Sequence, residues 1–337
     1  MSAPGTSTAS SSRSVLGEKS NVVQVPLEAP LPGCEPAPER PLTPEQQSKY
    51  DALLVKVKAW EEVPSTKGQA GPLNDKEKIW LTRECLLRYL RATKWDQKDA
   101  EKRLLETLTW RREFGVEDLT PEHIGPENET GKQVISGFDK ATRPCHYLNP
   151  GRQNTEVSHR QVEHMVFMLE RSIELGPPQQ EKICLLIDFK SRTSKKTNTA
   201  PGIGQGREVL NILQMHYPER LGRALIINVP WVVWGFFKLI TPFIDPVTKE
   251  KIKFNEDMTQ FVPREQLVTE FPGGQMLFDY DHSVFWPALQ KICGERRAAK
   301  QERWEAGGKQ IGELEDYLKG HIPHGIAGST STEARKD

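Results

Sequence analysis

The sequence predicts an α/β protein in which a helical lobe precedes a mostly parallel, open sheet. Two observations predict it. Three amphipathic stretches between residues 44 and 115 carry apolar residues at helical spacing, and from residue 130 short apolar runs alternate with helical patterns, as βαβ units do. Zero formal net charge, from 46 basic and 46 acidic side chains, argues against a nucleic-acid binder. Five widely spaced cysteines with no CxxC pair argue against a disulfide framework or a zinc cluster, and fit a reducing cytoplasmic setting.

Residues 1–44 hold eight of the 25 prolines and a Ser/Thr-rich start, so they read as a disordered tail, as does the end from about 320. The folded part opens with a helix from Pro44 to Ala59, bearing Tyr50, Leu53, Leu54 and Val57. A second helix, about 79–94, places Leu86, Leu87 and Leu90 on one side and Arg88, Arg91 and Lys94 on a shared basic face. Asp96 caps a third, which Gly115 ends.

Gln133–Gly137 and Cys145–Leu148 read as strands flanking a turn at Arg143-Pro144. A stripe of Val162, Val166, Leu169 and Ile173 marks a helix over 156–175. Ile183–Phe189 and Ala224–Val229 are near-continuous apolar runs, suited to strands buried on both faces, with a helix at about 206–216 between them.

The usual chemical motifs are missing. Gly202-x-Gly204-x-Gly206 matches neither phosphate-loop pattern, His159 and His164 lack the spacing of a metal pair, and there is no nucleophile elbow. Asp188, His146 and His216 could serve an enzyme, but a loop anchor is the commoner fate of a strand-end Asp. No catalytic residue and no metal site is expected. No stretch reaches the length of a spanning helix and no secretory signal is readable, so the sequence predicts a soluble protein.

The informative stretch is 214–254. Trp231, Val232, Trp234, Phe236, Phe237, Leu239, Ile240 and Phe243 form a helical segment that is apolar around most of its circumference, bounded by Pro230 and Pro242. Such a helix must be buried or meet lipid.

Here the sequence resembles the CRAL-TRIO family of lipid-binding proteins. The resemblance rests on Cys85-Leu-Leu-Arg-Tyr-Leu-Arg-Ala-Thr-Lys-Trp-Asp96, Trp110-Arg-Arg-Glu-Phe-Gly115, Leu186-Ile-Asp-Phe189, Tyr217-Pro-Glu-Arg-Leu-Gly222, Ile226-Ile-Asn-Val-Pro230, Pro242-Phe-Ile-Asp-Pro-Val-Thr248 and Phe271-Pro-Gly-Gly274, in the family's order. Pro150-Gly-Arg-Gln-Asn154 and Tyr280–Leu289 look like the pleiotropic-drug-resistance branch of the fungal phosphatidylinositol transfer proteins.

Composition and the resemblance together divide the chain into a disordered tail (1–44), an N-terminal helical lobe (45–118), a CRAL-TRIO lipid-binding domain (119–295) and a C-terminal helix with a flexible tail (296–337). It implies an apolar lipid cavity closed by a gate helix over about 231–243. Headgroup contacts carried over from the family fall on Glu219, Thr248 and Lys251, with Asp245 in the same turn. Thr93, counted with them, stands where founding members carry a basic residue, leaving Arg91 or Lys94 to supply the charge. Positions that are hydroxylated in phosphatidylcholine binders are Ile183, Leu185 and His146 here, so a polar choline headgroup would lack partners and a sterol would suit the cavity better.

The implied function is non-enzymatic phosphatidylinositol transfer, with no cofactor beyond the bound lipid. Its partners would be membranes or lipid droplets, touched peripherally from the cytoplasm, and lipid-metabolising enzymes, with no nucleic acid. The alternative is a lipid-sensing scaffold that regulates a protein partner.

Overall fold

In the computed structural model, residues 22–190, 203–240 and 246–327 are described. Thr43 opens α1 (Pro44–Lys58) through a capping box with Gln46, reinforced by Pro44 in the first turn. The single helix expected over 79–94 is two, α2 (Asp75–Trp80) and α3 (Arg83–Ala92). They divide because the Thr82 hydroxyl accepts from the Cys85 amide and caps a new start. Lys94 therefore leaves the basic face: it lies past the end of α3 with φ 53°. Asp96 caps α4 (Gln97–Phe114), and Gly115 ends it in the left-handed conformation that glycine adopts without strain. Leu53, Val57, Leu81, Leu86, Leu90, Leu104 and Leu108 are the buried centre of this lobe.

After α5 (Pro121–Asn128), β1 (Gln133–Phe138) and β2 (Pro144–Leu148) form an antiparallel pair. The chain continues through α6 (Arg160–Glu174), β3 (Ile183–Asp188), α7 (Ile203–His216), β4 (Leu221–Ile227), α8 (Trp231–Ile240), α9 (Pro246–Lys251) and β5 (Ile252–Phe254). The five strands lie in the order β1-β2-β3-β4-β5, with β2 to β5 parallel. Each parallel neighbour is reached by a helical crossover, as parallel pairing requires.

Alternate residues of the strands divide between two packed layers. Cys145, Tyr147, Cys184, Leu186 and Leu225 join Met258, Val262, Phe271 and Phe285 in the larger core. Ile183 belongs instead to a cluster with Val162, Val166, Leu169 and Ile212 from α6 and α7.

Two expectations about the ends of the chain do not hold. Residues 22–30 are not loose: Val23 exchanges backbone hydrogen bonds with Leu277 and Asp279, Ala29 accepts from Gln266, and Leu27 packs on the core. Proline content misleads here because an extended strap takes its hydrogen bonds from other segments and needs none of its own. At the other end α10 (His282–Ala306) leads into α11 (Glu315–Leu318), and Ile326 still donates to the buried Glu313 carboxylate. Residues 1–21 and 328–337 lie outside the described residues.

Candidate functional site

The parallel register aligns two rows of side chains on one sheet face. Leu148, Ile187, Ile226 and Phe254 are mutual partners across β2, β3, β4 and β5, and His146, Leu185, Ala224 and Ile252 are partners one step away. Leu148, Leu185, Ile187, Ile252 and Phe254 are only half-buried despite sitting on an apolar sheet face. Over this floor passes α8, the crossover from β4 to β5. Its Trp234 ring lies 4.6 Å from that of Phe254, and Val233 is buried. Trp231 at its start is 84 % exposed, which makes it an outlier among large apolar side chains.

Charged residues gather where the parallel strands begin. Arg143 precedes β2, Lys182 precedes β3, Glu219 precedes β4 and Lys251 precedes β5. Burial lowers the Lys182 pKa. Glu219 opposes that shift, while Lys251, Arg143 and Arg91 add to it as like charges. Neither Glu219 nor Lys251 makes a hydrogen bond or ion pair among the described residues. Glu219 holds φ 60°, a left-handed conformation rare for a residue with a side chain. A Cβ on Gly222 would lie 2.4 Å from the Arg143 side chain, so this glycine is what lets Arg143 lie against β4. The edge thus carries more positive than negative charge beside an apolar floor, an arrangement complementary to an acyl chain ending in a phosphodiester.

Comparison with known proteins bears on this arrangement. The CRAL/TRIO domain model matches residues 128–273, and the CRAL/TRIO N-terminal domain model matches residues 49–106. A CRAL-TRIO domain-containing protein of Schizosaccharomyces pombe is 52 % identical over 298 residues, covering 88 % of this chain and 29 % of its own length. The chain therefore spans under a third of that relative. Phosphatidylinositol transfer protein PDR17 of Saccharomyces cerevisiae is 42 % identical over 298 residues, covering 83 % of this chain and 85 % of that protein. The chain belongs to the CRAL/TRIO family. The crystal structure of Sfh5, 16 % identical, superposes with a TM-score of 0.50 over 73 % of this chain and 93 % of its own, a likeness of fold.

Within this CRAL/TRIO fold the expected headgroup residues separate. Glu219 and Lys251 share the charged edge, and Thr248 is half-buried in α9 beside it. Thr93 does not join them. It ends α3, and its hydroxyl lies within hydrogen-bond distance of the Tyr89, Leu90 and Asp96 carbonyls, so it serves the backbone. The positive charge at that corner comes from Arg91, which donates to Glu181 at 3.0 Å. Asp245 and Phe243 lie outside the described residues, as do the side chains of Phe236, Phe237, Leu239 and Ile240. Lys182 and Arg143 were missed. Only the lattice of strand starts brings them to one edge, and each reads singly as an ordinary surface cation.

The expected cavity residues also divide. Leu185 keeps an accessible surface, whereas Ile183 is 3 % exposed because α6 and α7 cover it. His146 is not an open wall position. Its Nδ1 meets the Ser172 hydroxyl at 3.1 Å and its Nε2 meets Gln133 Oε1 at 2.9 Å. Gln133 Nε2 continues to His164 Nδ1 at 3.2 Å, and His164 Nε2 to Asn128 Oδ1 at 3.2 Å. Burial holds His146 neutral, with its pKa down at about 3, and pushes His164 well below its usual range.

The residues an enzyme could use are employed within the fold. Asp188 accepts from the Lys190 amide and from Asn228, as a loop anchor does. His216 stacks on Trp110 at 4.2 Å and meets the Thr107 hydroxyl. Among the described residues no group of His, Cys, Asp or Glu could hold a metal, and no helix is long and apolar enough to cross a membrane.

Proposed function

We propose that this chain binds phosphatidylinositol and exchanges it between membranes without chemical turnover. The carrying observation is the half-buried apolar floor beneath α8, flanked at the starts of β4 and β5 by Glu219 and Lys251, which make no ion pair among the described residues. The relationship to PDR17, whose name states phosphatidylinositol transfer, supports the same reading. Each acyl methylene kept from water is worth about 0.8 kcal/mol, so a carrier must replace the bilayer with comparable apolar surface. The floor offers that surface, and the cationic edge selects the phosphate.

In this reading α8 is the gate. It covers the acyl chains when closed and meets lipid when open, with Trp231 as the residue that touches the bilayer. Contact with membranes or lipid droplets is transient and peripheral, from the cytoplasm. The lipid is then handed to lipid-metabolising enzymes. Leu185, Ala224 and Ile252 offer no hydroxyl to a choline headgroup, and His146 already has both nitrogens engaged. Leaving buried polar groups unpartnered costs about 1–3 kcal/mol each, so phosphatidylcholine is a poor ligand and a sterol a compatible one.

The experiment is transfer of labelled phosphatidylinositol, phosphatidylcholine and sterol between donor and acceptor vesicles, with lipid recovered and identified by mass spectrometry. Intact phosphatidylinositol in the acceptor is the expected result. Transfer no faster than a heat-denatured control would refute the reading.

A further inference from the structure

Between the helical lobe and the sheet domain lies a second cavity, of about 1100 Å³. Trp80, Arg88 and Arg111 line it from the helical lobe, Arg220 from the turn before β4, Lys300 and Arg303 from α10, and Lys319 follows α11. Among the described residues none of α8 or α9 lines it, nor do Glu219 and Lys251.

Its charges do not balance locally. Arg111 is paired with Glu170 and Glu117, Arg171 and Arg297 with Glu174, and Arg88 with Glu181 and Glu315. Lys319 has only a long contact to the same Glu315, at 3.7 Å, plus the Pro177 and Gln180 carbonyls. Five further lining cations have no carboxylate within ion-pair distance among the described residues, one of them the exposed Lys76 of α2. Arg220 donates to the Glu181 carbonyl, Arg296 to the Glu174 and Glu28 carbonyls, and Arg303 to the Ala299 and Leu318 carbonyls. Lys300 makes no hydrogen bond or ion pair at all among the described residues. Burial pushes both Lys300 and Arg220 below their ordinary pKa values, although Glu315 lies near enough to oppose the shift.

Arg220, Arg296, Lys300 and Arg303 are half-buried, and a fold that leaves several partly desolvated cations facing one cavity has a place for an anion. Six acids line the same walls, Glu28, Glu117, Glu170, Glu174, Glu295 and Glu315, against ten lysines and arginines, so the cavity keeps an excess of positive charge. A single small anion would leave most of that excess unmatched, and the volume is large enough to hold a whole small molecule. We propose that this interlobe cavity binds a soluble phosphorylated polyanion, with Lys300, Arg220 and Arg303 as its principal contacts. The site is independent of phosphatidylinositol transfer. It holds its ligand where the helical lobe, α10 and the residues after α11 converge, and so clamps the two lobes together.

The test is isothermal titration of the full chain with pyrophosphate and with inositol hexakisphosphate, alongside flotation with vesicles containing phosphorylated phosphoinositides. Wild type should bind a free polyanion, with affinity falling as salt rises. Lys300→Gln should weaken that affinity roughly tenfold or more, as loss of a charge-assisted contact does, and Lys300→Arg should restore most of it. Lys300 makes no hydrogen bond or ion pair among the described residues, so both variants should fold, and melting without ligand checks that neither is destabilised. Lys251→Ala should bind the polyanion normally even if it loses lipid transfer, which keeps the two sites distinguishable. Wild type that binds no free polyanion, or that binds it as well in Lys300→Gln, would overturn the proposal. So would a Lys300-dependent response confined to the vesicles, which would assign the site to a lipid headgroup.

Discussion

Arg88 of α3 donates to Glu315 of α11 at 3.1 Å, joining residues 227 positions apart and tying the C-terminal segment to the first lobe. The Glu315 amide donates in turn to the Glu84 carboxylate at 2.8 Å. Two carboxylates therefore share one partly buried corner. Burial, and then the charge of Glu315, raise Glu84 to about 7.

That corner gives the fold a pH dependence on its alkaline side. Glu84 holds its proton in the folded protein to a higher pH than in the unfolded chain, so stability is lost as pH rises from about 4.5 through about 7. Glu84→Gln keeps an acceptor for the Glu315 amide and removes the charge. It should stabilise the protein by about 2 kcal/mol at pH 8 and by little at pH 4.5. Denaturant melts at the two pH values check this, and equal gains at both would contradict it.

On the acid side the histidine chain acts. His146 and His164 stay neutral when folded but take up protons below about 6.5 when unfolded. Their folded pKa values are depressed, so the stability they contribute is present above about 6.5 and declines below it. The slope is about 1.4 kcal/mol per pH unit for each. His146→Gln should flatten stability measured between pH 6.5 and 4, with an unchanged slope as the contrary outcome.

The strap is part of the fold. A chain beginning at Pro44 loses the Val23, Leu27 and Ala29 contacts and also the Thr43 cap. We expect a loss of about 2–4 kcal/mol, from a few hydrogen bonds and one half-buried leucine. Thermal unfolding of the truncated and full chains measures it directly.

At the charged edge, Lys251→Ala and Lys182→Ala should each reduce phosphatidylinositol transfer about tenfold or more while sparing a sterol, which has no phosphate to lose. Thr93→Val should leave both transfers nearly unchanged because its hydroxyl serves the helix end. A large loss in Thr93→Val with unaltered stability would return that residue to the headgroup set.

Trp231 should partition into bilayers. Its fluorescence, isolated as the difference between wild type and Trp231→Ser, should shift to the blue on adding vesicles. The substitution should slow exchange without changing the melting temperature, because the ring is 84 % exposed. A spectrum indifferent to vesicles would argue against α8 as the membrane-contacting element.

Much of this was legible in the sequence, for identifiable reasons. Asp96 and Gly115 mark their helix ends by local chemistry, and the runs at 183–189 and 224–229 announce strands by composition alone. The charged edge was half legible. Glu219 and Lys251 lie in a recognisable stretch, but Lys182 and Arg143 join them only through strand register, which no local pattern encodes. Thr93 and His146 were placed by correspondence to relatives. Their actual partners, the Tyr89 carbonyl for one and Ser172 with Gln133 for the other, depend on packing at long range. The strap deceived because prolines forbid regular structure without forbidding order.

The last strand has a mechanical consequence. β5 is three residues long and, among the described residues, pairs with β4 alone, at the margin of the sheet. Its few ladder bonds contribute on the order of 3 kcal/mol in total, far less than the interior strands with neighbours on both sides. α8, α9 and β5 are consecutive in the chain, so they can peel away as one cooperative unit while β1 to β4 stay assembled. Hydrogen–deuterium exchange should show residues 246–254 opening together, well before the global transition, and slowing together once lipid is bound.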